Sequence, residues 1–267
     1  NVIPVDEIAD YKDNKILGAY LRSRTYALEA NVNEEVNREY QVPLMPPASV
    51  DNIKLDFNDN PDSKLFQVGQ FSCYLFEYKN IPAIMREIGL RREEAFRFVG
   101  EGTNKESDID EYDKYYKHLV LWDDSKNALA GAYRLGLGKE IIAEYGIHGL
   151  YTDSLFCYKP EFSALLAQSV ELGRSFVAKE YQKDTLALLL LLKGLLYAML
   201  RYRDVKYLIG PVSISSWYPV FYRSAMIYYL RLKQYIPEYS VMVAPKNPFI
   251  PNYGRVDIDA LLAKKMD

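Results

Sequence analysis

The chain has 267 residues, 49% of them apolar and 26% charged, with a net charge of −3. That apolar share supports a packed core and argues against wholesale disorder. The slightly acidic balance argues against a phosphate-binding basic face for nucleic acid and supplies no polybasic patch for a membrane.

The chain opens on Asn1 rather than Met, with no long apolar stretch behind it. No leader peptide is therefore read, and the sequence is expected to be a piece of a longer protein. Residues 5–30 predict a helix, with Asp6, Glu7 and Asp10 in its first turns and Ile8, Leu17, Tyr20, Leu21 and Leu28 at helical spacing. Val36 to Leu65 holds Pro43, Pro46, Pro47 and Pro61 among many Asp and Asn, which predicts a linker or extended coil. A boundary is placed there: residues 1–65 as an N-terminal helical and linker extension outside the main core, residues 66–267 as the main domain.

From Phe71 the pattern tightens. Phe71 to Tyr78 predicts a strand, and Pro82 opens a helix that runs to the Gly100-Glu101-Gly102 stretch. An acidic loop, Asp108 to Asp113, precedes a hairpin formed by Leu119 to Trp122 and Ala128 to Leu137. Two short helices follow, at 139–145 and 160–167. Gln168 to Val177 is read as the central strand. Thr185 to Arg203 is a helix capped by Asp184, Lys206 to Ile214 a strand, and Trp217 to Tyr235 a helix with Tyr222, Ala225, Met226, Tyr229 and Leu230 inward. A short last helix is expected at 258–265. The fold class is α/β (α+β), a mixed central sheet flanked by helices.

Cys73 and Cys157 lie on separate strand-like segments without metal-type spacing, so both are expected as reduced core thiols. His118 and His148 form no cluster, and no metal site is expected. The apolar run Leu186 to Leu192 is shorter than the roughly 18 residues a membrane span needs. The 24 tyrosines are assigned to core and rim positions.

Four motifs in fixed order carry a family resemblance over Phe71 to Tyr235. They are Arg92-Glu93-Glu94-Ala95-Phe96; Asp110-Glu111-Tyr112-Asp113 followed by His118-Leu119-Val120; Gly131-Ala132-Tyr133-Arg134-Leu135; and Glu171-Leu172-Gly173-Arg174-Ser175-Phe176-Val177. With the β-α-β-β-α-β-α-β-α order, they resemble the GNAT superfamily of N-acyltransferases. The closest branch in pattern holds the ornithine- and glycine-lipid N-acyltransferases, often labelled "hemolysin" and related to acyl-homoserine-lactone synthases. Leu21-Arg22 to Tyr26-Ala27-Leu28 resembles the end of a glycerolipid O-acyltransferase domain, which implies a fused or cooperating O-acyltransferase.

The resemblance implies amide formation from a thioester. In that role Glu171 is either a base acting through water or an organiser paired with Arg174 or Arg134. Arg134 and Arg174 either fix Asp110, Asp113 and Glu171 or hold a substrate carboxylate. Asp110 and Asp113 either face an amine acceptor or belong to a solvated acidic loop along with Glu106, Asp108 and Glu111. Tyr218 and Tyr222 either protonate the departing thiolate or pack. The substrate-binding set is Arg92, Phe96, Phe176, Val177, Gln182, Thr185 and Ser213, and the Leu-rich helix either lines an acyl cavity or packs in the core. His118 is read as structural.

One departure bears on the donor. The pyrophosphate turn of acetyl-CoA users, Gln/Arg-x-x-Gly-x-Gly/Ala, reads here Gln182-Lys183-Asp184-Thr185-Leu186-Ala187. Losing the first Gly hinders close approach of backbone N–H groups to a diphosphate. This favours an acyl carrier protein with its single phosphopantetheine phosphate, acyl-CoA being the alternative co-substrate; no tightly bound cofactor is expected. The implied acceptor is a small amino acid or amine, in the cytoplasm or peripherally at the inner membrane. Two other functions stay open: a non-catalytic module docking an acyl carrier or lipid, and an acetyl-CoA-dependent acetyltransferase.

Overall fold

The computed structural model describes residues 3, 5–9, 11–28, 41–183 and 185–262. Helices α1 (Val5–Ala9) and α2 (Asn14–Ala27) replace the single expected helix. The chain breaks before Asp13, whose side chain caps α2 by accepting from Lys15 N–H at 2.7 Å. Helix α3 (Val50–Asn58) forms where a linker was expected. Ser49 caps it, and Ile53 is buried against Phe76, Ile81 and Ile84. Its Asp56 carboxylate accepts the Ile84 N–H at 2.8 Å. That N–H is a free donor in the first turn of α4 (Pro82–Phe98), whose own N-cap supplies no side-chain bond. The proline content masked a helix that supplies the acceptor capping α4.

Strand β1 (Lys64–Val68) was likewise missed, at the edge of a six-stranded sheet. The others are β2 (Phe71–Glu77), β3 (Lys117–Asp123), β4 (Ala128–Leu137), β6 (Ser169–Val177) and β7 (Tyr207–Ile209). Their order is β1-β2-β3-β4-β6-β7; only the β6–β7 pair is parallel. The strand read as central is therefore fifth of six. Between β4 and β6 run α5 (Gly138–Tyr145), β5 (Phe156–Tyr158) and α6 (Ser163–Ala167). Helix α7 (Thr185–Arg201) packs on one face of the sheet with Leu119, Leu121, Leu135 and Leu137 beneath it. Gly194 lets it approach: a Cβ there would stand 2.7 Å from the Cys73 Sγ. Helix α4 covers the other face over Phe76, Val120, Ala132 and Phe176. Each buried Leu, Val or Phe among these stabilises by about 1.5–3 kcal/mol. Cys73 is a core thiol as expected, but Cys157 on β5 is exposed. The cap assigned to Asp184 lies outside the described residues, as do Asp10, residues 29–40 and the end of the last helix.

The remaining helices are α8 (Val220–Gln234), α9 (Pro237–Ser240) and α10 (Ile258–Leu262). Strand β8 (Val243–Pro245) pairs with β5 in a separate two-stranded sheet. By contact density the chain divides into two compact units. The larger is Arg38–Ser213 with Val241–Lys246, and the smaller is Asn1–Asn37, Ile214–Ser240 and Asn247–Asp267.

In the smaller unit, Ser23 Oγ accepts Asp257 N–H at 3.1 Å and Ser224 Oγ accepts Asn252 N–H at 2.9 Å. Of the α8 residues expected inward, Tyr222 and Ala225 are half-buried, but Met226, Tyr229 and Leu230 are exposed, and the buried position is Ser224. The contacts follow the stripe Arg223, Ser224 and Tyr228, which meets Phe249, Asn252 and Asp259. Polar anchoring, not apolar spacing, orients this helix.

Candidate active site

Strand β4 puts Ala132, Arg134 and Gly136 on the α4 side of the sheet and Tyr133, Leu135 and Leu137 on the α7 side, by the two-residue period of a strand. On β6 that period is interrupted. Arg134 pairs with Gly173 but Ala132 with Phe176, so one extra residue is inserted on β6. Arg174, at φ 50°, is the residue in the left-handed region. This is a β-bulge, and it resets the parity so that Glu171 and Phe176 share the α4 side. A non-glycine residue in that conformation costs about 1–2 kcal/mol, and the return is a re-aimed guanidinium.

Three arginines and three aspartates alternate around a closed ring beside this bulge. Arg92 grips Asp113 with two bonds, Nη1–Oδ1 at 3.1 Å and Nη2–Oδ2 at 2.8 Å. Asp113 also stands 3.3 Å from Arg134, and Arg134 donates to Asp110 at 2.5 Å. Asp110 lies 3.5 Å from Arg174, Arg174 3.6 Å from Asp108, and Asp108 3.2 Å from the Nε of Arg92. Arg92 also donates to the Asp108 carbonyl. Charge cancels around the ring, which is what lets Arg92, Asp108, Asp113 and Arg134 be almost wholly buried. Only the Arg174 and Asp110 side chains reach solvent, at 23% and 27% exposure.

The surrounding chain is built to hold the ring. Asp110 and Asp113 cap the turn Glu111–Lys114 reciprocally. The buried Glu93 accepts from Thr103 and Asn104 and fixes the start of the acidic loop. Gly89 admits that loop: a Cβ there would fall 2.1 Å from Ser107 Oγ. His118 is fully buried, its Nε2 2.9 Å from the Asp113 carbonyl oxygen, and burial lowers its pKa to about 4. Burial pushes the Asp113 carboxyl up, but the Arg92 bonds and the Arg92 and Arg134 charges outweigh it and hold it well below the usual range. For Asp108, burial prevails over Arg92 and Arg174 and raises the carboxyl.

Glu171 is buried next to the ring without joining it. Its carboxylate accepts from the Tyr116 hydroxyl, from Tyr151 N–H at 2.9 Å and from Thr152 N–H at 2.6 Å. The expected partners Arg134 and Arg174 are not the ones it bonds. Burial, then the Glu171 charge, raises the Tyr116 pKa, so the hydroxyl stays a donor. Gly136 leaves room for this ring, since a Cβ would come within 2.4 Å of it. Tyr112, Tyr116 and Tyr151 surround the Arg134 guanidinium at 5.6, 5.2 and 5.7 Å, and Tyr151 and Phe96 flank Arg174 at 5.8 and 6.0 Å.

The expected substrate-binding residues separate into groups. Arg92 is sealed in the ring and Phe176 in the core, so neither is open to a substrate. Val177 packs toward α7. Phe96 lies against Arg174. Gln182 is exposed and donates to the Val177 carbonyl at 3.0 Å, and Thr185 is exposed at the start of α7. The β6–β7 ladder spans only Ser169–Glu171 against Tyr207–Ile209. Beyond Glu171 that edge of β6 pairs with no strand among the described residues. The chain leaves β7 toward Ser213, whose hydroxyl donates to Glu101 at 2.7 Å. Tyr218 and Tyr222 belong to the smaller unit: Tyr218 is exposed ahead of α8, and Tyr222 packs edge-on to Phe221 at 5.3 Å.

Sequence reasoning missed Asp108, Tyr112, Tyr116 and Tyr151. Asp108 entered only under the alternative of a solvated acidic loop, beside Glu106 and Glu111; those two are exposed and Asp108 is buried. Its two-residue offset from Asp110 was the available signal. Nothing local distinguishes the three tyrosines from the other 21.

Residues 91–192 match the model of the acetyltransferase (GNAT) domain. A glycine N(alpha)-acyltransferase of Bacteroides thetaiotaomicron is 33% identical over 234 residues, covering 83% of this chain and 68% of that protein. One of Phocaeicola vulgatus is 34% identical over 218 residues, covering 77% and 66%. The chain thus spans about two thirds of the length of these relatives. The mixed sheet flanked by helices agrees with that likeness, and the chain belongs to the GNAT family of amide-forming N-acyltransferases.

Proposed function

We propose that the protein moves a fatty or 3-hydroxyfatty acyl group from acyl carrier protein to the amine of a small amino acid, glycine first among them, as a step in aminolipid synthesis. The observation that carries this is the single solvent-reaching corner of the charge ring, where Arg174 and Asp110 stand 3.5 Å apart. An amino acid is a zwitterion with a cation and an anion on neighbouring carbons. Arg174 suits its carboxylate and Asp110 its ammonium group.

The thioester arm lies along the unpaired edge of β6, beyond Glu171, where backbone N–H and C=O groups are available. A small pocket lined by Leu135, Val170, Leu172, Leu195, Met199 and Leu208 lies over the β6–β7 ladder on the α7 side of the sheet and suits the first carbons of the chain. The deprotonated amine attacks the thioester carbonyl, the C–N bond forms, and the C–S bond breaks. On the way from ammonium to amide the nitrogen gives up two protons: the first passes to solvent before attack, and the second goes through solvent to the departing thiolate, while Asp110 holds the nitrogen in place. Most of the acceleration is proximity. Glu171 acts as a positioning residue that fixes the turn Tyr151–Ser154 and, with it, the Tyr151 ring over both arginines.

The test is incubation of the full-length protein with acyl carrier protein thioesters, acyl-CoA or acetyl-CoA and single amino acids, with products read by mass spectrometry. N-acylglycine from the carrier-protein thioester supports the reading. Product from acetyl-CoA alone replaces the donor, and no product from any pair contradicts the proposal.

A further inference from the structure

Helix α7 has two apolar faces, and among the described residues only one has a partner. Ala187, Leu190, Leu191, Gly194, Leu195 and Ala198 are buried against the sheet. On the opposite side Leu188, Leu189, Leu192, Leu196 and Leu200 are between 43% and 75% exposed. At 100° per residue these five form one continuous outer stripe. The outer face of a surface helix is ordinarily polar, and a contiguous apolar patch this long marks a contact site. The one charge inside it is Lys193, half-buried over the Phe66 and Tyr197 rings at 4.7 and 5.7 Å. The C-terminal approach is basic, with exposed Arg201, Arg203 and Lys206 against the one acid Asp204, whereas at the other end Lys179 and Lys183 are matched in sequence by Glu180 and Asp184.

We infer that this face of α7 rests on an anionic lipid surface, leucines in the headgroup boundary and the flanking Lys and Arg against lipid phosphates. Three observations favour lipid over another occupant. A leucine stripe with cations beside it, here Lys193 and the cluster Arg201, Arg203 and Lys206, is the pattern of an interfacial helix. These cations gather around one helix in a chain whose net charge is −3, so they complement an anionic surface locally. A two-fold pairing of α7 with itself, centred on Lys193, would set like charges face to face. No described helix is long and apolar enough to cross a membrane, so α7 lies on the surface rather than through it. The inference does not depend on the identity of donor or acceptor.

Co-sedimentation of the full-length protein with phosphatidylcholine vesicles, with and without phosphatidylglycerol, tests it without any acyl substrate. The wild type should bind the mixed vesicles and leave pure phosphatidylcholine largely unbound. The triple variant Leu189→Gln, Leu196→Gln, Leu200→Gln should weaken binding about ten-fold or more, since burial of apolar area drives interfacial anchoring. The milder Lys193→Glu should weaken it about three-fold or more, by removing one cation and adding an anion. Circular dichroism should remain that of the wild type in both. Absence of binding to mixed vesicles overturns the inference. So does undiminished binding of the triple variant, or a wild-type dimer that this variant converts to monomer.

Discussion

On strand β4, Tyr133, Leu135 and Leu137 turn toward α7 and meet hydrocarbon, while Ala132, Arg134 and Gly136 turn toward α4 and frame the charge ring. The two faces share a backbone and are stabilised in different ways. On the apolar face the contribution is spread over many side chains, and shape can be adjusted locally. On the charged face it is concentrated: each ion in the ring is tolerable only because its neighbours are there. The first face supplies stability, and the second spends some of it to hold Arg174 and Asp110 at the surface in fixed geometry.

Matched substitutions sharpen that contrast. Arg134→Met keeps much of the volume but leaves Asp113 buried with one partner fewer, and should destabilise by about 3–5 kcal/mol. Leu135→Met on the other face should cost under about 1.5 kcal/mol. Urea denaturation of both variants measures the difference, and equal losses would break the comparison.

Acid should find the charged face next. His118 is neutral in the folded protein down to about pH 4, whereas the unfolded chain takes up a proton near 6.5. The unfolded state therefore binds more protons between those values, and stability falls as pH drops through that window, by up to about 3 kcal/mol. Asp113 is depressed instead, so its contribution is present above the ordinary carboxylate pKa and is lost on further acidification. Unfolding free energy measured from pH 7 to pH 4 should show the slope, and His118→Gln should flatten it.

Gly136→Ala should cost about 1–3 kcal/mol by forcing the Tyr116 ring off its place under Glu171. A structure of that variant should show the turn Tyr151–Ser154 displaced. Smallest in stability, Arg174→Gln should cost about 1–2 kcal/mol, because Asp110 can turn to water while the buried Asp108 loses one of its two arginines and keeps Arg92. Its effect belongs to catalysis.

The ring residues Arg92, Asp110, Asp113, Arg134 and Arg174 could be named from the sequence because each sits in a motif of fixed order. What they do to one another could not. The bulge depends on the register of β6 against β4, which no residue type announces, and Arg174 is not a glycine. Arg92 reads equally well as a substrate contact or a sealed ion until its burial is known. Glu171 was legible as important, but its partners lie 19, 20 and 55 residues away and are two backbone amides and a tyrosine. Helix α3 was hidden by prolines on both sides of it, since its reason for existing is the free N–H at Ile84.

The most direct test compares kcat/KM for glycine with that for glycinamide, which lacks the carboxylate charge, in wild type and in Arg174→Gln. If the Arg174–Asp110 corner reads the acceptor, the wild type should prefer glycine by about ten- to a hundred-fold, the worth of one charge-assisted hydrogen bond. Arg174→Gln should erase that preference and leave glycinamide turnover near its wild-type value. Equal losses on both acceptors would contradict the account, because they would mean that Arg174 serves the ring and not the substrate.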